Sequence, residues 1–241
     1  LWKLSSKKIY KVFCPTKATL NYLLKNKIFS KEQLMLLYDP IIKISEINLK
    51  KKELINNINL RKKEFILTIG RLTRQKNTIF LVKCFKKILE KNPKFKLIIL
   101  GEGEDKEKLI DIIKKNEMEN SVLLLGFKKN VYKYINQSKC FVLTSLWEDP
   151  GFVLMEAAAT NTPIISSNCP NGPYEFLENG NAGFLFENNN KEDFLSKFDE
   201  FMIQDEKSIK KKIIKAKKNS RKYTAFRHQK TLETVLVRET I

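Results

Sequence analysis

Six short apolar runs punctuate the middle of this sequence: Phe65 to Ile69, Lys96 to Leu100, Val122 to Leu125, Cys140 to Leu143, Pro163 to Ser166 and Gly183 to Phe186. Each has the length and character of a buried strand, and most end in a glycine or a small polar residue at which the chain can turn. Between them lie segments of helical spacing. Thr78 to Glu90 carries Phe80, Leu81, Cys84, Phe85 and Ile88 on one side, with Thr78 as its expected cap, and Asp105 to Lys115 is a polar helix. Asn130 to Ser138, an Ala-rich stretch after Gly151 and a short segment from Asn171 to Glu175 complete the alternation. Phe194, Phe198 and Phe201 recur at helical spacing and are expected in the core. Strands that alternate with helices predict an α/β fold, a Rossmann-like parallel sheet sandwiched by helices, with right-handed crossovers.

Ahead of this lies a smaller pattern. Ile9 to Cys14 reads as a strand, Thr16 to Asn26 as a helix opened by a Pro-Thr turn, and Leu34 to Tyr38 as a second strand closed by Asp39-Pro40. One β-α-β unit is too small to hold a core of its own, so it completes a sheet, either of this domain or of one mostly absent. Residues 48–63 are polar, rich in Lys and Asn, and read as a linker. The expected organisation is 1–47 as the partial β-α-β unit, 48–63 as linker, 64–206 as the main domain and 207–241 as C-terminal helices.

The chain has 241 residues, a formal net charge of +19 and 42% hydrophobic residues, enough for one large or two small packed domains. Most of the positive charge is lysine, spread along the whole chain, which describes a solvated surface rather than a basic face. The densest run, Lys207 to Lys222, lacks the interleaved aromatics of a single-strand platform, so no nucleic-acid partner is expected. Ile209, Ile213 and Ala216 form a narrow apolar stripe within it, the pattern of a helix in peripheral contact with an anionic membrane, or of ordinary packing. No run approaches a membrane span, and Leu1-Trp2-Lys3-Leu4 is neither a start methionine nor a secretion signal, so a partial protein is expected. Cys14, Cys84, Cys140 and Cys169 are scattered singly, which suggests neither a zinc site nor a disulfide framework and points to a cytoplasmic setting.

The chemistry concentrates between Thr144 and Ala159. Pro150-Gly151 breaks the chain after the Cys140 to Leu143 strand, and the helix that follows points the backbone N–H groups of Gly151, Phe152 and Val153 beyond the strand's carboxyl end, where anions bind in α/β sheets. Glu148 in the loop and Glu156 in the helix cannot serve an anion. Their natural partners are sugar hydroxyls, because a carboxylate only accepts hydrogen bonds. No Lys or Arg occurs between Cys140 and Asn190, so the cations for an anion must come from elsewhere. Gly70-Arg71, with Arg74, Lys76 and Asn77, meets that requirement at the end of the Phe65 to Ile69 strand.

Glu148-x7-Glu156, set after Thr-Ser and followed by Ala-Ala-Ala-x-x-x-Pro-Ile-Ile, together with Gly70-Arg71-Leu72-x-x-x-Lys76-Asn77, resembles the signature of retaining GT-B glycosyltransferases of the glycosyltransferase 4 type. The resemblance covers nearly the whole chain and is strongest from Phe65 to Phe186. It makes the main domain the C-terminal, donor-binding domain of the GT-B fold and the β-α-β unit a remnant of the N-terminal acceptor domain. It gives Arg71 and Lys76 the leaving diphosphate, the helix start at Gly151 to Val153 a share of that charge, Glu156 the ribose hydroxyls and Glu148 the hydroxyls of the transferred sugar. Gly70 turns the backbone at the cation segment, and Phe127 matches the position whose backbone meets the base. Asn171-Gly172 corresponds to a Gly-Gly turn, with Asn171 in place of the first glycine, and Ser220 to Val237 to a final helix that returns to the N-terminal domain.

The implied donor is a UDP-sugar before a GDP-sugar, and the implied acceptor a glycan or lipid-linked molecule of surface polysaccharide synthesis. No metal or other cofactor is implied, since cationic side chains replace it. The acceptor site and the family's N-terminal catalytic histidine fall outside these residues, so this chain is expected to bind donor and to transfer slowly or not at all. A non-catalytic nucleotide-binding module would need no Glu148. A dinucleotide-dependent oxidoreductase would show Gly-x-Gly-x-x-Gly after its first strand, where Gly70 stands alone, and Gly101-Glu102-Gly103 lacks the third glycine.

Overall fold

The structure, a computed structural model, describes residues 6–55 and 63–236. Residues 1–5 and 237–241 of the two end segments, and 56–62 of the stretch read as a linker, lie outside the described residues.

Six strands form one parallel sheet in the order β5-β4-β3-β6-β7-β8: β3 (Phe65–Ile69), β4 (Lys96–Leu100), β5 (Val122–Leu124), β6 (Cys140–Leu143), β7 (Ile164–Ser167) and β8 (Phe184–Phe186). The period-two geometry of a strand divides each run between two cores. Ile66, Leu97, Ile99, Cys140 and Val142 face one cluster, which includes Leu81, Phe85, Phe194, Phe198 and Phe201 from the Thr78–Lys91 and Lys191–Ile203 helices. Phe65, Leu67, Ile98, Leu100, Phe141 and Leu143 face the other, filled by Leu154, Met155 and Ala157 to Ala159 of the Phe152–Ala159 helix. Apart from Glu156 that helix is apolar, and Leu154, Met155 and Ala157 to Ala159 are buried. The four cysteines are free and buried.

From β3 the chain winds outward through β4 to β5, and from β6 it winds the other way through β7 to β8. β3 and β6 are therefore the strands at which the winding reverses, paired in register at Ile66 with Cys140 and Leu67 with Phe141. Ligands of open α/β sheets bind outside the carboxyl ends of that strand pair.

The N-terminal unit is a two-stranded parallel ladder, β1 (Val12–Cys14) with β2 (Leu34–Leu36), and the helix Lys17–Lys25. Thr16 caps that helix, accepting from the Thr19 N–H at 3.0 Å. Its own cluster, around Cys14, Phe29 and Leu34, is small. Contacts with the rest of the chain hold it: the Ile42 N–H donates to the Tyr223 carbonyl (2.9 Å), the rings of Tyr38 and Tyr223 lie 4.8 Å apart, and His228 Nδ1 meets the Tyr38 carbonyl oxygen at 2.8 Å.

Two local expectations change, and the basic helix gains partners inside the protein. Asn77 precedes the Thr78–Lys91 helix in the left-handed region (φ 52°) and Thr78 is its first residue, so no side chain caps that end. A helix, Ile44–Lys50, runs into the stretch read as linker, because Ile47 is buried in the second core cluster although its neighbours are polar. In the basic helix Glu206–Ser220, Ala216 is 1% exposed and Ile209 packs against the first cluster. Two of the three stripe residues, Ile209 and Ala216, are thus turned into the protein. Among the described residues no helix is long and apolar enough to cross a membrane.

Candidate donor-binding site

The loops that follow β3 and β6 are tied to one another. Leu146 donates its N–H to the Gln75 carbonyl (2.8 Å), the Gln75 side-chain amide donates to the Trp147 carbonyl (3.0 Å), and the Thr144 hydroxyl donates to the Lys76 carbonyl (3.1 Å). These bonds hold together two segments about seventy residues apart in sequence.

At their junction Lys76 Nζ donates to Glu148 Oε1 at 2.6 Å, and the Ser145 hydroxyl donates to the same oxygen at 2.5 Å. The Glu148 side chain is 4% exposed and that of Lys76 18%. A carboxylate so buried is tolerated because it is paired and hydrogen-bonded. Gly70 and Gly151 crowd the pair from either side: a Cβ on Gly70 would lie 3.3 Å from the Lys76 chain, and one on Gly151 3.2 Å from Glu148 Cγ. Gly151 has φ 85°, which lets the backbone turn into the Phe152–Ala159 helix immediately beside the carboxylate. The first amides of that helix, those of Phe152 and Val153, have no acceptor within it. Phe152 itself is half-exposed, and Arg71 is exposed at the mouth of the site.

Beside Arg71 is a cavity of about 340 Å³ lined by Ile69, Gly70, Arg71, Leu100, Gly101, Glu102, Phe127, Lys128 and Val131. Its floor is the carboxyl ends of β3 and β4. Gly101 (φ 140°) is required there, since a Cβ would fall 1.9 Å from the Gly70 carbonyl oxygen. Phe127 is 76% exposed on the rim, available to a planar ligand and contributing nothing to the core.

Glu156 lies within the Phe152–Ala159 helix and accepts a hydrogen bond from the Tyr132 hydroxyl (3.1 Å). Burial pushes its carboxyl above the ordinary 4.5, opposed in part by that hydrogen bond, and burial with the adjacent carboxylate raises the Tyr132 hydroxyl. Gly172 meets the Glu148 loop at its Pro150 carbonyl. With φ 136° and a virtual Cβ 2.0 Å from the Pro150 carbonyl oxygen, it lets the loop after β7 close on the Asp149–Pro150 turn.

The structure thus joins Gly70, Lys76, Glu148 and Gly151 at one point and Gly70, Arg71 and Phe127 around one cavity, while Glu156 is held by Tyr132 and Gly172 touches the Glu148 loop at Pro150. Ser145 and Tyr132 were not legible as site residues. Ser145 stands in the Thr-Ser step before Glu148, which was the available signal, and nothing in the sequence pairs Tyr132 with a glutamate 24 positions away. A larger cavity, about 670 Å³, lies elsewhere, along β8 and the residues around Lys212, and contains none of these groups.

Comparison with known proteins identifies the family and the fold. The family model described as glycosyl transferases group 1 matches residues 50–223. An uncharacterized glycosyltransferase of Methanocaldococcus jannaschii is 49% identical over 111 residues, 46% of this chain and 27% of that protein. The N-acetylgalactosamine-N,N'-diacetylbacillosaminyl-diphospho-undecaprenol 4-alpha-N-acetylgalactosaminyltransferase of Campylobacter jejuni is 32% identical over 158 residues, 66% of this chain and 42% of that enzyme. The chain therefore spans less than half the length of these two relatives. Among solved structures, Anabaena HepE in complex with UDP superposes with a TM-score of 0.81 at 20% identity, over 97% of this chain and 65% of that one, a likeness of fold.

Proposed function

The chain belongs to the glycosyl transferases group 1 family, and from that premise we propose that it holds the nucleotide-sugar donor in the transfer of a hexose-type sugar, with retention of configuration, to a glycan or lipid-linked acceptor in surface polysaccharide synthesis. The observation that carries this reading is the Lys76–Glu148 pair at the junction of the β3 and β6 loops. It sets a cation and a carboxylate side by side at the strand pair where ligands bind, as a sugar diphosphate requires.

In transfer, the bond between the sugar's anomeric carbon and the diphosphate oxygen breaks and negative charge develops on the diphosphate. Arg71, Lys76 and the amides at Gly151 to Val153 are the donors for that charge. The Lys76 ammonium has three N–H donors, of which Glu148 takes one. Both contacts to Glu148 fall on Oε1, so Oε2 is the oxygen assigned to the sugar hydroxyls. Glu156, oriented by Tyr132, accepts from the ribose hydroxyls. The base occupies the cavity beside Phe127.

UDP is favoured over GDP because the Anabaena neighbour was solved with UDP, and a lipid-linked acceptor is supported by the diphospho-undecaprenol named for the Campylobacter relative. Cationic side chains carry the diphosphate without a metal ion, and the reaction belongs to the cytoplasm. This chain alone is expected to bind donor and to transfer slowly or not at all.

Saturation-transfer NMR with UDP- and GDP-sugars tests the reading without needing turnover. Uridine and sugar protons should both receive saturation, and Glu148→Gln should lose the sugar signals while keeping those of the nucleoside. Saturation of nucleoside protons alone in the unaltered chain would reduce the site to a nucleotide-binding module.

A further inference from the structure

Glu175 makes contacts that the donor site does not account for. It lies in the short helix Pro173–Phe176 after β7, and its carboxylate accepts two hydrogen bonds from the N-terminal unit. One comes from the Tyr38 hydroxyl to Oε1 (2.9 Å), the other from the Lys17 backbone N–H to Oε2 (3.1 Å). Lys17 opens the Lys17–Lys25 helix, whose first turn has no acidic residue of its own. Glu175 supplies that negative charge from more than 150 residues away.

On its other side Glu175 is fixed to the donor loop. Gly172 closes on the Pro150 carbonyl, the Glu148 N–H donates to the Pro170 carbonyl (3.0 Å), and Phe176 is buried with its carbonyl accepting from the Asn219 amide (2.9 Å). The carboxylate is therefore mounted on the segment that backs Glu148 while its oxygens grip the β-α-β unit. Between the two lies a cleft of about 660 Å³ whose walls include Lys17, Asn21, Pro170, Asn171, Tyr174 and Glu175.

We propose that Glu175 is a positioning residue, which docks the N-terminal unit onto the loop that backs Glu148 and couples donor binding to the placement of that unit. The coupling rests on the donor reading above; the docking does not. Hydrogen exchange read by mass spectrometry, with and without UDP, on this chain and on its Glu175→Ala, Glu175→Gln and Tyr38→Phe variants, separates the two.

Glu175→Ala should speed exchange in residues 17–25 at least tenfold while UDP affinity stays within twofold. Glu175→Gln, which keeps one carbonyl acceptor, should fall between, and adding Tyr38→Phe to Glu175→Ala should bring no further increase. UDP should slow exchange in residues 17–25 of the unaltered chain, and in Glu175→Ala should slow only residues 70–77 and 144–153. Unchanged exchange in residues 17–25 of Glu175→Ala would overturn the docking. A loss of UDP affinity as large as that of Arg71→Ala would make Glu175 a ligand group instead. If the unaltered chain bound no UDP, the donor reading and the coupling would fail together, and the exchange comparison of the variants would still decide the docking.

Discussion

Replacing Lys76 by methionine removes one partner of a nearly buried ion pair and leaves the other in place. Glu148, 4% exposed, would be left with the Ser145 hydroxyl as the donor to Oε1. Breaking a buried pair from one side costs about 3–5 kcal/mol. The 18% exposure of Lys76 and the surviving charge-assisted bond from Ser145 place this case at the lower end, about 3 kcal/mol. For a chain of this size that is a fall of roughly 6–12 °C in Tm. Lys76→Met combined with Glu148→Gln leaves no buried charge, so the double variant should recover about 2 kcal/mol of the loss. Urea unfolding at pH 7, followed by circular dichroism, measures the four corners of the cycle, and UDP titration of the double variant separates folding from function, because its affinity should remain low. A Lys76→Met loss below about 0.5 kcal/mol, the range of ordinary surface substitutions, or strict additivity of the two changes, would refute the reasoning.

Other expectations follow from single residues. Burial raises the Glu156 carboxyl, so the folded chain holds that proton at a pH where the unfolded chain has lost it. Glu156 should therefore withdraw stability as pH rises from about 4.5 through its raised value, a loss that Glu156→Gln should abolish in pH-dependent unfolding. Ribose hydroxyls need the ionised form, so UDP affinity should rise over the same interval, and Glu156→Gln should flatten that profile. Gly172→Ala sets a methyl group 2.0 Å from the Pro150 carbonyl at φ 136° and should cost at least about 2 kcal/mol by urea unfolding. Phe127→Ala should weaken UDP about tenfold in calorimetry, from a base contact worth roughly 1–2 kcal/mol, with no change in Tm because the ring is 76% exposed.

The sheet was legible because its strands are short apolar runs with clear ends, and each run divides alternately between two cores as strand geometry demands. The placement of Glu148, Lys76, Arg71 and Gly151 was legible because each follows one of two apolar runs, β3 and β6, that end in a clear turn. What the sequence concealed is of two kinds. The Ile44–Lys50 helix hides in a lysine-rich stretch because one deeply buried residue, Ile47, secures it, too little for a periodicity to register. The partners of Glu156 and Glu175 hide because Tyr132, Tyr38 and Lys17 reach them through tertiary folding, across 24, 137 and 158 positions.

The central claim is that the carboxyl ends of β3 and β6 bind a nucleoside diphosphate. Isothermal titration of the chain with UDP, repeated on Arg71→Ala, tests it most directly. Saturable one-to-one binding, weakened about tenfold or more by Arg71→Ala while the Tm stays unchanged, is the predicted result, since Arg71 is exposed at the mouth of the site and contributes to affinity rather than to the core. Absence of saturable binding, or binding indifferent to Arg71, would contradict the account.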